Sequence, residues 1–209
     1  MTEKILDWDS AYRQRPYLDI HPHPQVIKLA ESIDPLEHLH WLDLGCGDGR
    51  HLVYLTQRGW QVLGLDLAMW GLRRAGERLM LDDLPTMLTY GDIRNLPLAN
   101  ASLDGIISIQ VIHHQLLSDI RVTFTEIHRV LRSGGLMLVS LPKYPPENWK
   151  QGRYQEIEPR TYIPLEGFEQ GLPHHFFEQA EVLDCLAGFS IQNLEIDEKG
   201  YFCILAQNR

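Results

Sequence analysis

"WLDLGCGDGR", Trp41 to Arg50, decides how this chain folds. It opens apolar, carries glycines at 45, 47 and 49, and ends on an aspartate and an arginine. "HLHWLDLG" before it reads as a buried strand ending at Gly45, and "RHLVYLTQRG" after it as a helix stopped by Gly59. Glycine tolerates positive φ and lets other groups approach the main chain closely. A helix N-terminus presents unpaired N–H groups and a positive dipole end. In an open α/β sheet, ligands bind beyond the carboxyl ends of the strands. The turn is therefore a seat for a ligand part that is negative or accepts hydrogen bonds. The spacing is G-x-G-x-G, whereas a dinucleotide fingerprint needs G-x-G-x-x-G; Arg50 stands where that third glycine would be. A Gly-Lys-Ser/Thr phosphate loop is also missing. Glycine spacing alone leaves a purely structural turn as the alternative.

Outward from this stretch, strands and helices alternate. "QVIKLAESI" has helical apolar spacing, "WQVLGLD" reads as a second strand, and "AMWGLRRAGERLML" as a helix weakened by two glycines. "TMLTYGD" is a third strand. "LDGIISIQVI" is a fourth, apolar almost throughout, as expected of a strand covered on both faces. Ile120, Phe124, Ile127 and Leu131 then mark one helical stripe before a fifth strand, "LMLVSL". The alternation predicts a parallel α/β sheet with right-handed crossovers. Residues 142–173 break it with six prolines among aromatics, and read as a lid or binding loop held in order by Trp149, Tyr154, Tyr162 and Phe168. "EQAEVLDCLAG" resumes as a helix, and "FSIQNLEI" and "YFCILAQ" form a closing hairpin in which at least one strand runs antiparallel to the rest.

Two acidic residues accompany the glycine turn. Asp66 ends the second strand, where a carboxylate can accept from ribose hydroxyls. Asp92 ends the third, placed to accept from the exocyclic amine of adenine while the N–H of Ile93 donates to a ring nitrogen. One acidic residue at a strand end is most often a cap or turn former. Three matched features in the expected order are much harder to obtain by chance.

With these residues in place, the chain resembles a class I S-adenosylmethionine-dependent methyltransferase of the broad type 11 group. The resemblance rests on "LDLGCGDGRHLVYLTQRGWQVLGLD", "YGDIRNLPLANASLDGIISIQVIHH" and "EIHRVLRSGGLMLVSLPK", and covers about residues 40–143. It implies a Rossmann-like sheet of seven strands, helices on both faces and the last hairpin at one edge. It also implies a single domain over 1–209, with an N-terminal arm (1–37) and the lid-like insertion (142–173). The cofactor would be S-adenosylmethionine. Asp43 and the loop of Gly45, Cys46, Gly47 and Gly49 would surround its amino-acid part, Asp66 its ribose, Leu67, Asp92 and Ile93 its adenine, and Gln110 its methionine end. In similar enzymes N-terminal tyrosines and arginines meet the cofactor carboxylate, which points to Tyr12 and Arg15; an amphipathic helix packed by Trp8 and Tyr12 is the plainer reading. Ser133 stands in "LRSGG" where the family often has proline, a departure confined to a turn.

Two finer resemblances diverge. "SIQVIHH" is similar to methyltransferases that esterify modified wobble uridines of tRNA. The loop region and "GLPHHFF" are similar to the tellurite-resistance-like group, which acts on small molecules. The formal charge of −9, from 19 basic and 28 acidic residues, repels phosphate backbones and favours the second, although a partner subunit supplying basic surface would allow the first. The expected function is methyl transfer to a small-molecule nucleophile. A tRNA methyltransferase and a cofactor-binding regulatory module without turnover are the alternatives. No run of about 18 apolar residues and no signal-peptide pattern is found, so a cytoplasmic monomer or homodimer without membrane contact is expected. The three cysteines, 46, 185 and 203, suggest neither a disulfide framework nor zinc.

Methyl transfer mainly requires aligning an acceptor lone pair behind an activated methyl group, with a base where the acceptor carries a proton. Histidine is the usual base near pH 7. His113 and His114 follow the fourth strand at the expected acceptor rim, and His174 and His175 close the lid segment. His113, His174 and His175 are the catalytic candidates. Histidines that cap helices or bond carbonyls are the ordinary alternative, and adjacent side chains should diverge, leaving one of each pair facing away. No H-x-x-x-H or carboxylate–histidine spacing is present, so no metal is expected.

Overall fold

The computed structural model describes residues 7–14, 21–33, 40–145, 153–167 and 169–209. Arg15, Trp149, Phe168 and part of the 142–173 insertion lie outside them. Strands β1 (His40–Leu44), β2 (Gln61–Asp66), β3 (Leu88–Tyr90), β4 (Leu103–Ser108), β5 (Leu131–Pro142), β9 (Phe189–Ile196) and β10 (Tyr201–Asn208) form one sheet in the order β3-β2-β1-β4-β5-β10-β9. The first five strands run parallel. β10 is antiparallel to both β5 and β9. This is the expected Rossmann-like seven-stranded sheet with its closing hairpin at one edge.

Each central strand is apolar because its residues alternate between two covered faces. Leu42, Leu44 and Ile106 enter a core with Ile120, Phe124 and Ile127 of α5 (Leu117–Val130) and Val182 of α6 (Gln179–Cys185). Trp41 and Ile107 point the other way. They meet Val26 and Leu29 of α2 (Pro24–Ser32), Leu52 and Leu55 of α3 (Arg50–Gln57), and Leu79 of α4 (Met69–Leu81). The Trp41 ring lies over Gly105, where a Cβ would overlap it. Gly71 admits α4 close to the glycine turn: a Cβ there would meet the Gly47 backbone at 3.1 Å. That contact gives a reason for a glycine that costs a helix about 1 kcal/mol. Among the described residues no helix is long and apolar enough to cross a membrane.

The insertion is more regular than the sequence suggested. β6 (Tyr154–Glu158), β7 (Thr161–Pro164) and β8 (His174–His175) make a second, antiparallel sheet of three strands. Pro159 and Pro164 hide it, because prolines at a turn and a strand end read as loop. Arg160 makes the turn with φ 63°. The backbone N–H groups of His175 and Phe177 donate to the carbonyls of His113 and Pro142, both at 2.8 Å, tying this sheet to the main one.

Candidate functional site

The site forms where β1, β2 and β4 end. Gly45, Gly47 and Gly49 all have left-handed backbones, with φ of 75°, 55° and 82°. The turn is fastened from beneath: the N–H groups of Gly45 and Cys46 donate to the Leu65 carbonyl at 2.8 and 3.0 Å. Arg78 donates to the Asp48 carbonyl at 2.9 Å. Gly49 is bare for packing, since a Cβ would stand 2.8 Å from that of Ala75. Gly45 and Gly47 are bare toward the cleft. Added side chains there would overlap Val111 and the hydroxyl of Tyr12, which reaches over the turn from α1 (Trp8–Gln14).

Two adjoining cavities open above the turn. The smaller, about 110 Å³, is lined by Asp66, Leu67, Asp92, Ile93 and Gln110 under Trp8 and Tyr12. Asp66 accepts from Gly47 N at 2.8 Å and from Ala68 N at 2.7 Å, so its carboxylate sets the position of both the turn and the start of α4. Burial raises its pKa. Leu67 beside it is 45% exposed, an apolar wall open to a planar ligand. Asp92 binds Arg94, at 2.6 Å for the shortest contact, which lowers its pKa and keeps it anionic. Arg94 extends to Asp119 at 2.9 Å.

The larger cavity, about 430 Å³, continues past Gln110 to Arg50, His113, His114, Glu169, His174 and Tyr201. Gln110 stands at the junction in a left-handed conformation, φ 62°, held by Arg50 at 3.0 Å on its side chain and by Ser140 at 2.8 Å on its N–H. Non-glycine residues in that region concentrate at functional sites. The rings of His113 and His114 lie 3.9 Å apart, so this pair does not diverge. The other pair does: His174 faces the cavity, whereas His175 is buried between Thr161 at 2.7 Å and Glu181 at 2.9 Å, away from both cavities. Burial drives the pKa values of His113 and His114 well below the usual 6.5, leaving both imidazoles neutral near pH 7. Burial raises the Cys46 thiol, which lines the same wall in its protonated form.

Asp43 is not on the wall. It lies beneath the turn, 1% exposed, and one of its oxygens lacks a partner. Burial raises its pKa to about 7, against the opposing field of Arg50. A carboxyl that holds its proton up to about pH 7 folded but ionises near 3.8 unfolded makes the folded state bind more protons across that window. Stability therefore falls as pH rises from about 4 to 7, and the cost persists above it. Asp43→Asn should abolish this slope. Its stability advantage over wild type in denaturant titrations should grow from near zero at acid pH to a few kcal/mol above neutrality, at about 1.4 kcal/mol per pKa unit. Parallel curves for the two proteins would exclude this origin.

Of the sequence-based candidates, Tyr12, Gly45, Cys46, Asp66, Leu67, Asp92, Ile93, Gln110, His113 and His174 meet around the two cavities, while Gly47 lies under the Tyr12 hydroxyl outside both linings and Asp43, Gly49 and His175 stand behind them. Trp8, Glu169, Lys199 and Tyr201 complete the walls without having been singled out as site residues. Trp8, whose sequence context suggests only the packing of an N-terminal helix, meets both Tyr12 and His114. Tyr201 and Lys199 sit at a hairpin whose sequence spells only a turn. Arg50 was visible as the departure from the dinucleotide fingerprint.

The residues fit an adenosyl sulfonium cofactor. Bare main chain at Gly45 suits its amino-acid part, the strand-end carboxylate of Asp66 its ribose, and the exposed Leu67 with the Asp92 carboxylate one strand away its adenine. Residues 42–139 match the family described as methyltransferase domain. A malonyl-[acyl-carrier protein] O-methyltransferase of Xylella fastidiosa is 41% identical over 103 residues, 48% of this chain and 34% of that protein. The chain spans about half or less of the length of the first curated relatives it matches. Two solved structures share the fold. A Pyrococcus horikoshii protein has TM-score 0.76 and 22% identity, covering 95% of this chain and 98% of its own. A SAM-dependent methyltransferase of Methanosarcina mazei has TM-score 0.74 and 18% identity, covering 90% and 98%.

Proposed function

We propose that the chain, whose residues 42–139 match a methyltransferase domain, is a class I S-adenosylmethionine-dependent methyltransferase that moves the methyl group of this cofactor to a small nucleophile held in the larger cavity. The observation that carries the reading is the adjacency of the two cavities, which share Gly45, Gln110 and His114 in their walls and lie together under Trp8 and Tyr12. The larger cavity's volume of about 430 Å³ falls at the small-molecule end of ligand sites.

The cofactor supplies an activated methyl group. The chain's part is placement and dryness. Asp66 and the glycine turn would fix the nucleoside and amino-acid parts. Arg50, braced on Gln110, and Lys199 would draw an anionic acceptor into the chamber. The relative's printed name refers to an O-methylated malonyl group, and an acceptor oxygen of this kind suits the same cations. Trp8 and Tyr12 would exclude water, which strengthens every charge interaction inside.

Calorimetry with S-adenosylhomocysteine should show binding in the micromolar range, and radiolabelled cofactor should label members of a panel of carboxylates, thiols and hydroxylated acids. Absence of S-adenosylhomocysteine binding would defeat the reading. Binding with no transfer to the panel or to cell extract would make the chain a regulatory module, and transfer to RNA alone would make it a tRNA methyltransferase.

A further inference from the structure

The fold brings His174 to the adjacent pair His113 and His114, from which it is separated by about 60 residues of chain. A nitrogen from each of His113, His114 and His174 lies within 4.8 Å of the other two. The His114 and His174 rings are 4.4 Å apart, edge to face. The backbone bond from His175 N to the His113 carbonyl, at 2.8 Å, holds the two segments in this register. His113 is 2% exposed, and Nδ1 of both His113 and His114 is buried with no hydrogen-bond partner. Buried polar nitrogens without partners are uncommon and call for an explanation.

His174 supplies an independent sign. Its Nδ1 lies 3.0 Å from the Leu172 carbonyl, which can only accept, so Nδ1 carries the proton. In the neutral ring Nε2 then presents a lone pair. It faces the Glu169 carboxylate at 3.1 Å, a second acceptor. Either a proton or a metal ion held between Nε2 and the carboxylate satisfies both, and the neighbouring nitrogens of His113 and His114 supply the further ligands that a metal ion needs. A backbone carbonyl that fixes the far ring nitrogen is also the usual support of a metal-binding imidazole.

We propose that His113, His114 and His174 bind a divalent transition-metal ion of the zinc class at the acceptor end of the larger cavity, with Glu169 as an exchangeable fourth ligand. Neutral imidazoles with one carboxylate are a donor set suited to zinc, and three firm ligands with one displaceable position are the pattern of sites that take a substrate. Glu169 is the most exposed of the four, its side chain 38% exposed against 5% for His174. The site would take an acceptor bearing a thiol or hydroxyl. That clause rests on the methyl-transfer reading; the ion site does not. A bound acceptor would release its proton to solvent. Its lone pair would form the bond to the methyl carbon as the carbon–sulfur bond breaks and that pair returns to sulfur.

The test uses the full chain, stripped with chelator and titrated with zinc and with cobalt(II). One ion per chain is expected, with the visible absorption of low-coordinate cobalt(II). X-ray absorption on the zinc form should show nitrogen and oxygen neighbours near about 2.0–2.1 Å and no sulfur. His113→Gln and His174→Gln should each weaken zinc binding at least about a hundredfold, and Glu169→Gln about tenfold. Circular dichroism should confirm that the variants fold. Unchanged affinity in both histidine variants, sulfur in the coordination shell, or no ion bound would overturn the proposal. Sulfur would place the ion instead at His23, Asp197 and Cys203, a second cluster with the reach to hold one. An imidazolium signal for His174 in the metal-titrated protein would also overturn it, by showing a plain ion pair with Glu169. S-adenosylhomocysteine calorimetry on the same samples separates the two readings, because it probes the other cavity: zinc binding without it fails the methyltransferase, and the reverse fails the metal site.

Discussion

Asp66→Ala should lower the affinity for S-adenosylhomocysteine by about a hundredfold or more while leaving the fold intact. The carboxylate accepts from Gly47 N at 2.8 Å and Ala68 N at 2.7 Å, so it organises the turn as well as facing the smaller cavity. Hydrogen bonds to a charged group contribute about 1.5–3 kcal/mol each, and a hundredfold loss corresponds to about 2.7 kcal/mol. The effect on stability should be smaller than the effect on binding, because alanine also removes a carboxylate whose burial disfavours its charged form. Asp66→Asn should not rescue: its amide keeps one acceptor oxygen and turns an NH₂ toward one of the two N–H donors. Calorimetry on both variants checks this. Affinity within threefold of wild type for Asp66→Ala would remove Asp66 from the nucleoside site.

Phe177→Ala should cost about 3–5 kcal/mol of stability, as large aromatic truncations in a core do. For a chain of this size that is a fall of about 10 °C in melting temperature. Phe177 is fully buried, and its ring meets that of His175 edge to face at 4.6 Å. Its N–H and carbonyl bond Pro142 and Tyr144 at 2.8 and 2.9 Å. It is the point where the small sheet joins the main core, so the loss should reach the histidine cluster through the adjoining His175–His113 bond. Phe177→Leu should fall well short of this. A melting shift of about 2 °C or less for the alanine variant would show that the joint is made elsewhere.

The order of the five parallel strands was legible in the sequence, because strands buried on both faces are continuous apolar runs and their helices show one stripe; their bounds were not, since Leu131, placed on the helical stripe by its spacing, opens β5, and β4 ends at Ser108 rather than Ile112. The glycine turn, Asp66 and Asp92 were legible because main-chain approach and strand-end carboxylates leave local marks. The larger cavity was not. His113 and His174 are neighbours because the His175 N–H bonds the His113 carbonyl between segments far apart in the chain, and Tyr201 and Lys199 arrive from the closing hairpin. Local spacing records none of these meetings. The small sheet escaped for a different reason: its prolines sit at turn and terminus, where they imitate a loop. The divergence expected of adjacent side chains failed at His113–His114, which lie beyond the regular part of β4 and are free of its alternation.

α1 touches both chambers at once. Trp8 stacks edge to face on His114 at 4.6 Å, Tyr12 covers Gly47, and Asp9 receives the Trp70 N–H of α4 at 2.8 Å. One short element thus serves as a common door. Under the methyl-transfer proposal, a substitution that loosens the Asp9 latch should therefore change the release of spent donor and of product together.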